Sequence, residues 1–353
     1  MSDNLSELLG RKGISNNLFD RLGQVALPGG SPSDEALAKL ADEFLIGKAN
    51  TFGTASFYDF LKPENKGKKV YVCNGTACVC AGTQDNVIAA LKTKFEANEI
   101  GHMTCLGRCH ENSAFHYNGK NYSGDALENL NNIIDSDSNL NQDKYHVKAS
   151  GKTILIQPFT NIQDYYQPFR DALKNDSANV LEEIKISNVR GRGGAGFPMG
   201  LKLEFCRNVE NDTKFIICNA DEGDPGAYSD RYLLEQQPHS VLFGMLISGY
   251  VTHANYGILY IRAEYPEAAI IVQNAIDELK KENLIGDNID GSGFNFNFKI
   301  IQAQGSYICG EETALINSIE GQRPEVRVRP PFPAQKGLFN KPTTVNNVET
   351  LAA

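Results

Sequence analysis

Hydrophobic positions change their spacing along the chain. Over residues 1–66 they recur three or four apart, the period of an amphipathic helix. Segments 3–9 and 16–25 read as short helices. Ser31-Pro-Ser-Asp-Glu-Ala supplies an N-cap and early acids ahead of Leu37, Leu40, Phe44 and Leu45 on one face. Segment 62–68 is charged, holds Pro63 and Gly67 but no bulky apolar residue, and reads as a linker. Beyond it the spacing alternates. Val70-Tyr-Val-Cys is an uninterrupted apolar run and predicts a buried strand. Segment 85–94 predicts a helix with Val87, Ile88, Leu91 and Phe95 on one side, 115–122 a hairpin turning at Asn118-Gly119, and 125–134 a closing helix. The polar stretch 135–143 reads as a second linker. From 148 onward apolar strands (214–218, 257–261 and 297–301) alternate with helices (239–253, 268–282 and 311–321), the pattern of a mostly parallel sheet. The expected architecture is α/β in three parts: a helical lead-in over 1–66, a small α/β domain over 67–147 and a larger one over 148–353.

Composition narrows the function classes. With 34 Lys+Arg against 43 Asp+Glu, the net charge is −9 and no basic cluster suits a nucleic-acid backbone. No apolar run approaches the roughly 18 residues of a membrane span, so no direct membrane insertion is expected. The first residues carry neither a basic nor an apolar leader region, which predicts a cytoplasmic protein with reduced thiols free to ligate metal.

Five of the eight cysteines crowd between Cys73 and Cys109. Cys73-x4-Cys78 leaves a strand end and enters a helix, and Cys105-x3-Cys109 precedes the hairpin. Two loops of one small domain can therefore offer four thiolates to one place, as Zn²⁺ or a 2Fe–2S cluster requires. Structural zinc usually takes at least one Cys-x2-Cys pair, so the wider spacing favours iron. Four buried free cysteines is the bland alternative. Cys80 reads as a structural bystander, and Cys206, Cys218 and Cys309 as core residues.

A second constellation is rich in glycine. Gly191-x-Gly193-x-x-Gly196, flanked by Arg190 and Arg192, lets backbone N–H groups approach a phosphate. It lacks the strand-then-helix setting of a dinucleotide fingerprint, because 180–187 is not a clean apolar strand and Pro198 follows at once, so a flexible loop is the alternative. Three strand ends carry polar clusters: Asn219-Ala-Asp-Glu-Gly-Asp-Pro, Arg262-Ala-Glu-Tyr and Tyr307-Ile-Cys-Gly-Glu-Glu. Ligands of open parallel sheets bind beyond the carboxyl ends of the strands. Carboxylates there suit ribose or ribityl hydroxyls and ring nitrogens.

Val72-Cys-Asn-Gly-Thr-Ala-Cys, Met103-Thr-Cys-Leu-Gly-Arg-Cys and Gly53-Thr-Ala-Ser-Phe-Tyr-Asp-Phe resemble the thioredoxin-like 2Fe–2S ferredoxin of the smaller NADH-oxidising subunit of respiratory complex I, over about residues 1–130. Over about 150–353 the chain resembles the FMN- and NADH-binding subunit of complex I and its soluble relatives. The motifs are Arg190-Gly-Arg-Gly-Gly-Ala-Gly-Phe-Pro-Met-Gly-Leu-Lys, Asn219-Ala-Asp-Glu-Gly-Asp-Pro-Gly-Ala-Tyr, Gly305-Ser-Tyr-Ile-Cys-Gly-Glu-Glu-Thr-Ala-Leu and Lys341-Pro-Thr-Thr-Val-Asn-Asn-Val-Glu-Thr.

The resemblance implies a 2Fe–2S cluster on Cys73, Cys78, Cys105 and Cys109. It implies FMN held by Gly191, Arg192, Gly193, Lys202, Asn219, Asp221, Glu222, Tyr307, Gly310, Glu311, Asn346 and Asn347. For NAD it implies Phe197, Phe205 and Phe332 around the adenine and Asp224, Glu312 and Arg329 on the nucleotide side. Hydride passing from NADH to FMN needs no side-chain acid or base, and Glu312 is the nearest candidate to a catalytic group. Asp224 stands where respiratory members more often have Glu, which is more like soluble hydrogenase- or formate-dehydrogenase-linked and electron-bifurcating relatives; Arg329 stands where they more often have Lys, which keeps the charge but changes the reach. The fused order of the two parts is also like those diaphorases, whose partners are other redox subunits. The family carries a 4Fe–4S cluster on a later cysteine motif that this sequence does not contain, so the chain reads as a fragment. Two alternatives remain: an electron-bifurcating hydrogenase subunit coupling NAD to ferredoxin, and a non-enzymatic zinc-stabilised assembly scaffold.

Overall fold

The computed structural model describes residues 14, 17–27, 29–136, 145, 147, 148, 150, 151 and 153–353. The expected helix over 3–9 and most of the linker over 135–143 lie outside the described residues.

The first sheet has the order β2-β1-β3-β4. Its strands are β1 (Val70–Cys73), β2 (Ile100–Met103), β3 (Phe115–Tyr117) and β4 (Lys120–Tyr122). β1 runs parallel to β2 and antiparallel to β3. The β3–β4 turn has Asn118 and Gly119 both at positive φ, 49° and 76°, as a type I′ turn demands. Helix Gln84–Leu91 buries Val87 and Leu91 against Val70, Val72 and Phe115. The closing segment is not one helix: a 3₁₀ stretch over Gly124–Asn129 precedes helix Leu130–Ser136.

The second sheet is wholly parallel, in the order β7-β6-β5-β8. It comprises β5 (Phe215–Ala220), β6 (Tyr256–Ile261), β7 (Asn297–Gln302) and β8 (Thr343–Asn347). Alternate residues face opposite ways. Ile216, Cys218, Leu259 and Ile261 join a core with helices Met199–Arg207, Pro238–Thr252 and Pro266–Lys281. Ile217, Ile258, Tyr260 and Val345 join a second core with helices Leu18–Ala26, Asp34–Glu43 and Glu312–Ile319. Both faces are covered, which explains the near-continuous apolar runs. The lead-in helices thus belong to the core of the second sheet. Tyr58 donates to Ser318 Oγ at 2.9 Å, and Asn17 Nδ2 to Ile319 O at 2.5 Å. Cys206, Cys218 and Cys309 are buried, as expected.

Three expectations need correction. Helix Asp34–Glu43 ends before Leu45, which sits at φ 56° and is 72 % exposed, so only Leu37, Leu40 and Phe44 reach the core. Segment 62–68 is packed: Asn65 is buried and its Nδ2 donates to Asp59 O at 2.7 Å. Cys80 is exposed, because the short helix Thr76–Ala81 turns Cys78 inward and Cys80 out, and it has no packing role.

One contact fixes the C-terminal end of the sheet. Gly244, within Pro238–Thr252, lies so close to helix Val348–Ala352 that a Cβ there would sit 1.8 Å from Leu351 O. Backbone opposes backbone, so the helices must part. Gly244→Ala is expected to destabilise the protein by about 1–3 kcal/mol; an unchanged melting temperature would show that the helices separate at no cost.

Candidate functional site

The four spaced cysteines converge. β1 ends at Cys73, the following helix presents Cys78, and the loop after β2 carries Cys105 and Cys109. The sulfurs of Cys105 and Cys109 are 4.0 Å apart. The amide of Gly75 donates to Cys73 Sγ and that of Gly107 to Cys105 Sγ, each at 3.3 Å. Hydrogen bonds from Cys109 and Cys73 hold the Cys105 thiol well below the usual thiol range, while its bonds to Cys105 and Cys78 push the Cys73 thiol up. Such proton sharing marks thiols close enough to ligate as a set once deprotonated. Two thiol pairs fit a two-iron cluster.

The second constellation lies beyond the carboxyl ends of β5 and β8. Gly191 N donates to Phe197 O at 2.9 Å, closing the glycine loop on itself. Arg192 N donates to Thr350 Oγ1 at 2.8 Å and its guanidinium pairs with Glu349 at 2.6 Å. A Cβ at Gly193 would be 3.3 Å from Asn347, whereas Gly194 and Gly196, both at positive φ, face open space. Lys202 Nζ donates to Val345 O at 2.5 Å and lies 3.5 Å from Glu312. The loop is thus backbone-rich, cationic and pressed on the end of β8.

Opposite it, Asn219 Nδ2 donates to Gly310 O at 2.8 Å, and Asp221 N to Asn219 Oδ1 at 3.1 Å. Asp221 is buried, and burial pushes its carboxyl up to about 8. Its Oδ2 and the Nδ2 of buried Asn346 have no hydrogen-bond partner. Glu222 accepts from Ser229 Oγ, the amides of Asp230 and Arg231, and Tyr265 OH. Glu311 caps helix Glu312–Ile319, and Arg329 pairs with Glu312 at 2.8 Å and Glu311 at 3.5 Å. Tyr307 lies against Gly223 and donates to Asp224 at 3.0 Å. Phe197 and Phe205 stand 6.3 Å apart, both half-exposed. Exposed Phe332 makes no ring contact with either among the described residues.

The two constellations touch. Tyr265, whose hydroxyl donates to Glu222 at 2.9 Å, packs its ring on Gly107 between Cys105 and Cys109, and Arg231 Nη1 donates to Gly107 O at 3.1 Å. Residues 17–137 match the family model of the thioredoxin-like [2Fe-2S] ferredoxin, and residues 184–353 that of the Nuo51 FMN-binding domain. The chain joins a thioredoxin-like [2Fe-2S] ferredoxin domain to a Nuo51 FMN-binding domain. An NADH-quinone oxidoreductase subunit of Aquifex aeolicus is 48 % identical over 188 residues, 53 % of this chain and 44 % of that protein. The NADP-reducing hydrogenase subunit HndC of Solidesulfovibrio fructosivorans is 48 % identical over 197 residues, 54 % of this chain and 40 % of that one. The crystal structure of an NAD+-reducing [NiFe]-hydrogenase in its H2-reduced state aligns over 95 % of this chain and 60 % of its own, at 29 % identity and a TM-score of 0.76. The chain therefore spans less than half the length of these two curated relatives.

The residues fit both cofactors. In the FMN-binding domain, unpartnered Asp221 Oδ2 and Asn346 Nδ2 are an acceptor and a donor that a polar ring edge or hydroxyl would satisfy. The open glycine loop with Arg192 and Lys202 suits a phosphate. In the ferredoxin domain, thiols with backbone N–H groups on their sulfurs suit an iron–sulfur cluster. Several contact residues carried no assigned role in the sequence. Glu349 and Thr350 lock the glycine loop, yet lie in a motif whose asparagines drew the attention. Arg262 and Tyr265 belong to a strand-end cluster that the sequence placed at the crevice, but no local signal showed that they would also face the cysteine loop of the other domain.

Proposed function

We propose that the chain is an NADH-oxidising (diaphorase) module that works in the cytoplasm with further redox subunits, in the manner of NAD-linked hydrogenases. The observation that carries this reading is the Tyr265 side chain, whose hydroxyl meets Glu222 at the FMN crevice and whose ring lies on Gly107 in the loop of the cluster thiols. FMN when bound supplies the two-electron to one-electron conversion, accepting hydride from NADH and passing single electrons to the 2Fe–2S cluster.

The chain's residues contribute position and field. Arg192, Lys202 and the glycine-loop amides would hold the phosphate. Asp221, Asn346 and Asn219 would meet the ring and ribityl groups. Phe197 and Phe205 offer an exposed aromatic pair for the adenine, with exposed Phe332 as a third candidate. Glu312, held by Arg329 and Lys202, and Asp224, held by Tyr307, would orient the nicotinamide ribose. No side chain need move a proton for hydride transfer, so none is assigned as acid or base. The parallel fit over almost the whole chain to a fused hydrogenase protein supports the hydrogenase-type setting.

Anaerobic purification with FMN, iron and sulfide reconstitution tests the reading. The expected product is yellow-brown and loses its flavin absorbance on adding NADH. A folded sample that retains no flavin, or whose flavin NADH leaves untouched, overturns the proposal.

A further inference from the structure

Arg262, the residue after β6, is 4 % exposed. Its Nη1 donates to Glu222 O in the flavin-side loop, and its Nη2 to Glu264 Oε1 at 2.9 Å. Its guanidinium carbon lies 5.1 Å from the centre of the Tyr265 ring. Tyr265 spans the two sites: its hydroxyl donates to Glu222 Oε2 at 2.9 Å, and its ring packs so closely on Gly107 that a Cβ there would be 2.5 Å away. Gly107 is at φ 68°, midway between Cys105 and Cys109. Asn121 Nδ2 closes the frame, donating to Leu106 O at 3.1 Å and Glu264 O at 2.8 Å.

We propose that Arg262 is a positioning residue shared by the two redox sites, tying the flavin-side loop to the Cys105–Cys109 loop and setting how readily the cluster takes up an electron. The inference rests on the FMN and 2Fe–2S reading above. The step is a one-electron transfer in which flavin is oxidised and the cluster reduced. No bond forms or breaks at the cluster, and its charge becomes more negative by one. A fixed cation nearby stabilises the reduced state, and burial leaves its field weakly screened. The cation sits beside the cluster loop: its guanidinium carbon is 5.1 Å from the centre of the Tyr265 ring, which packs on Gly107 between Cys105 and Cys109. Glu264 acts with the opposite sign, and its Oε2 is buried without a hydrogen-bond partner, so its charge is only partly offset.

The test is the cluster's midpoint potential in the reconstituted full chain, read by its EPR signal during redox titration. At a fixed ambient potential, the reduced-to-oxidised ratio is expected to fall at least threefold in Arg262→Gln and to rise at least threefold in Glu264→Gln. Arg262→Lys should shift it less than Arg262→Gln. Smaller shifts, or shifts of one sign in the Arg262→Gln and Glu264→Gln variants, overturn the inference. Should Arg262→Gln fail to fold, Glu264→Gln decides alone. An unsubstituted chain that takes up no EPR-active cluster would instead refute the parent reading.

Discussion

Cys105→Ser is expected to abolish the 2Fe–2S centre while leaving the flavin site occupied. A serine hydroxyl is not deprotonated at neutral pH and is a harder ligand than the thiolate that iron–sulfur clusters use. Cys105 is also the most strongly acidified of the four thiols, because Cys109 and Cys73 hydrogen-bond to its sulfur and Arg262 lies nearby. Its replacement leaves the Gly107 amide, now 3.3 Å from Sγ, without its sulfur acceptor. Bound iron should fall by more than about tenfold, the low end of the loss usual for weakening even an outer-shell partner. Iron and acid-labile sulfide analysis, with FMN counted by fluorescence after release, measures both halves of the claim. Cys80→Ser is the matched control: the exposed Cys80 lies within two residues of Cys78 but is not one of the converging thiols. Iron retained in Cys105→Ser, or lost equally in Cys80→Ser, would mean the ligand set is misassigned.

The cysteine pattern was legible because spacing alone carries it: two pairs on two loops of one small α/β unit can hardly avoid each other. The central strands β5 and β6 were equally plain, since strands covered on both faces write themselves as continuous hydrophobic runs. β8 was not, because Thr343-Thr-Val-Asn-Asn is polar at every position but Val345 and its membership depends on pairing with β5. Segment 180–187 was seen only as a poor strand. Val180, Leu181 and Ile184 have helical spacing, and helix Ser177–Ser187 buries the first two. The packing of the lead-in helices on the second sheet had no local signal, because amphipathic helices announce a buried face without naming its partner. The same holds for Arg262 and Tyr265. Their burial comes from two domains meeting, a fact outside the reach of any periodicity.

Asp221 gives the flavin crevice a pH signature that FMN-free protein should reveal. Burial holds this carboxyl up to about 8, against an ordinary carboxylate range near 4 in the unfolded chain. The sign follows from proton counts. Below pH about 4 both states are protonated. From there to about pH 8 the unfolded chain loses the proton while the folded one keeps it, so stability falls as pH rises; above pH 8 both are ionised and the loss stops growing. The drop amounts to a few kcal/mol, which a carboxamide of the same shape escapes. FMN-free Asp221→Asn should therefore melt closest to the parent at the acid end of this window, and the gap should widen to several degrees by pH 8. Asp230, also raised to about 8 by burial and by Glu222, leaves a residual slope in both proteins. Calorimetry of the two FMN-free proteins across pH 5 to 8 checks the difference. Curves that stay parallel over that window would mean that Asp221 ionises as freely in the fold as in the unfolded chain. FMN supplied at pH 8 should raise the parent's melting temperature, because its polar groups would satisfy Asp221 Oδ2 and Asn346 Nδ2, which the protein itself leaves unpartnered. An unstable, half-satisfied crevice is thus the counterpart of a site shaped for a ligand: the buried carboxylate that weakens the empty fold is the group a bound flavin would relieve.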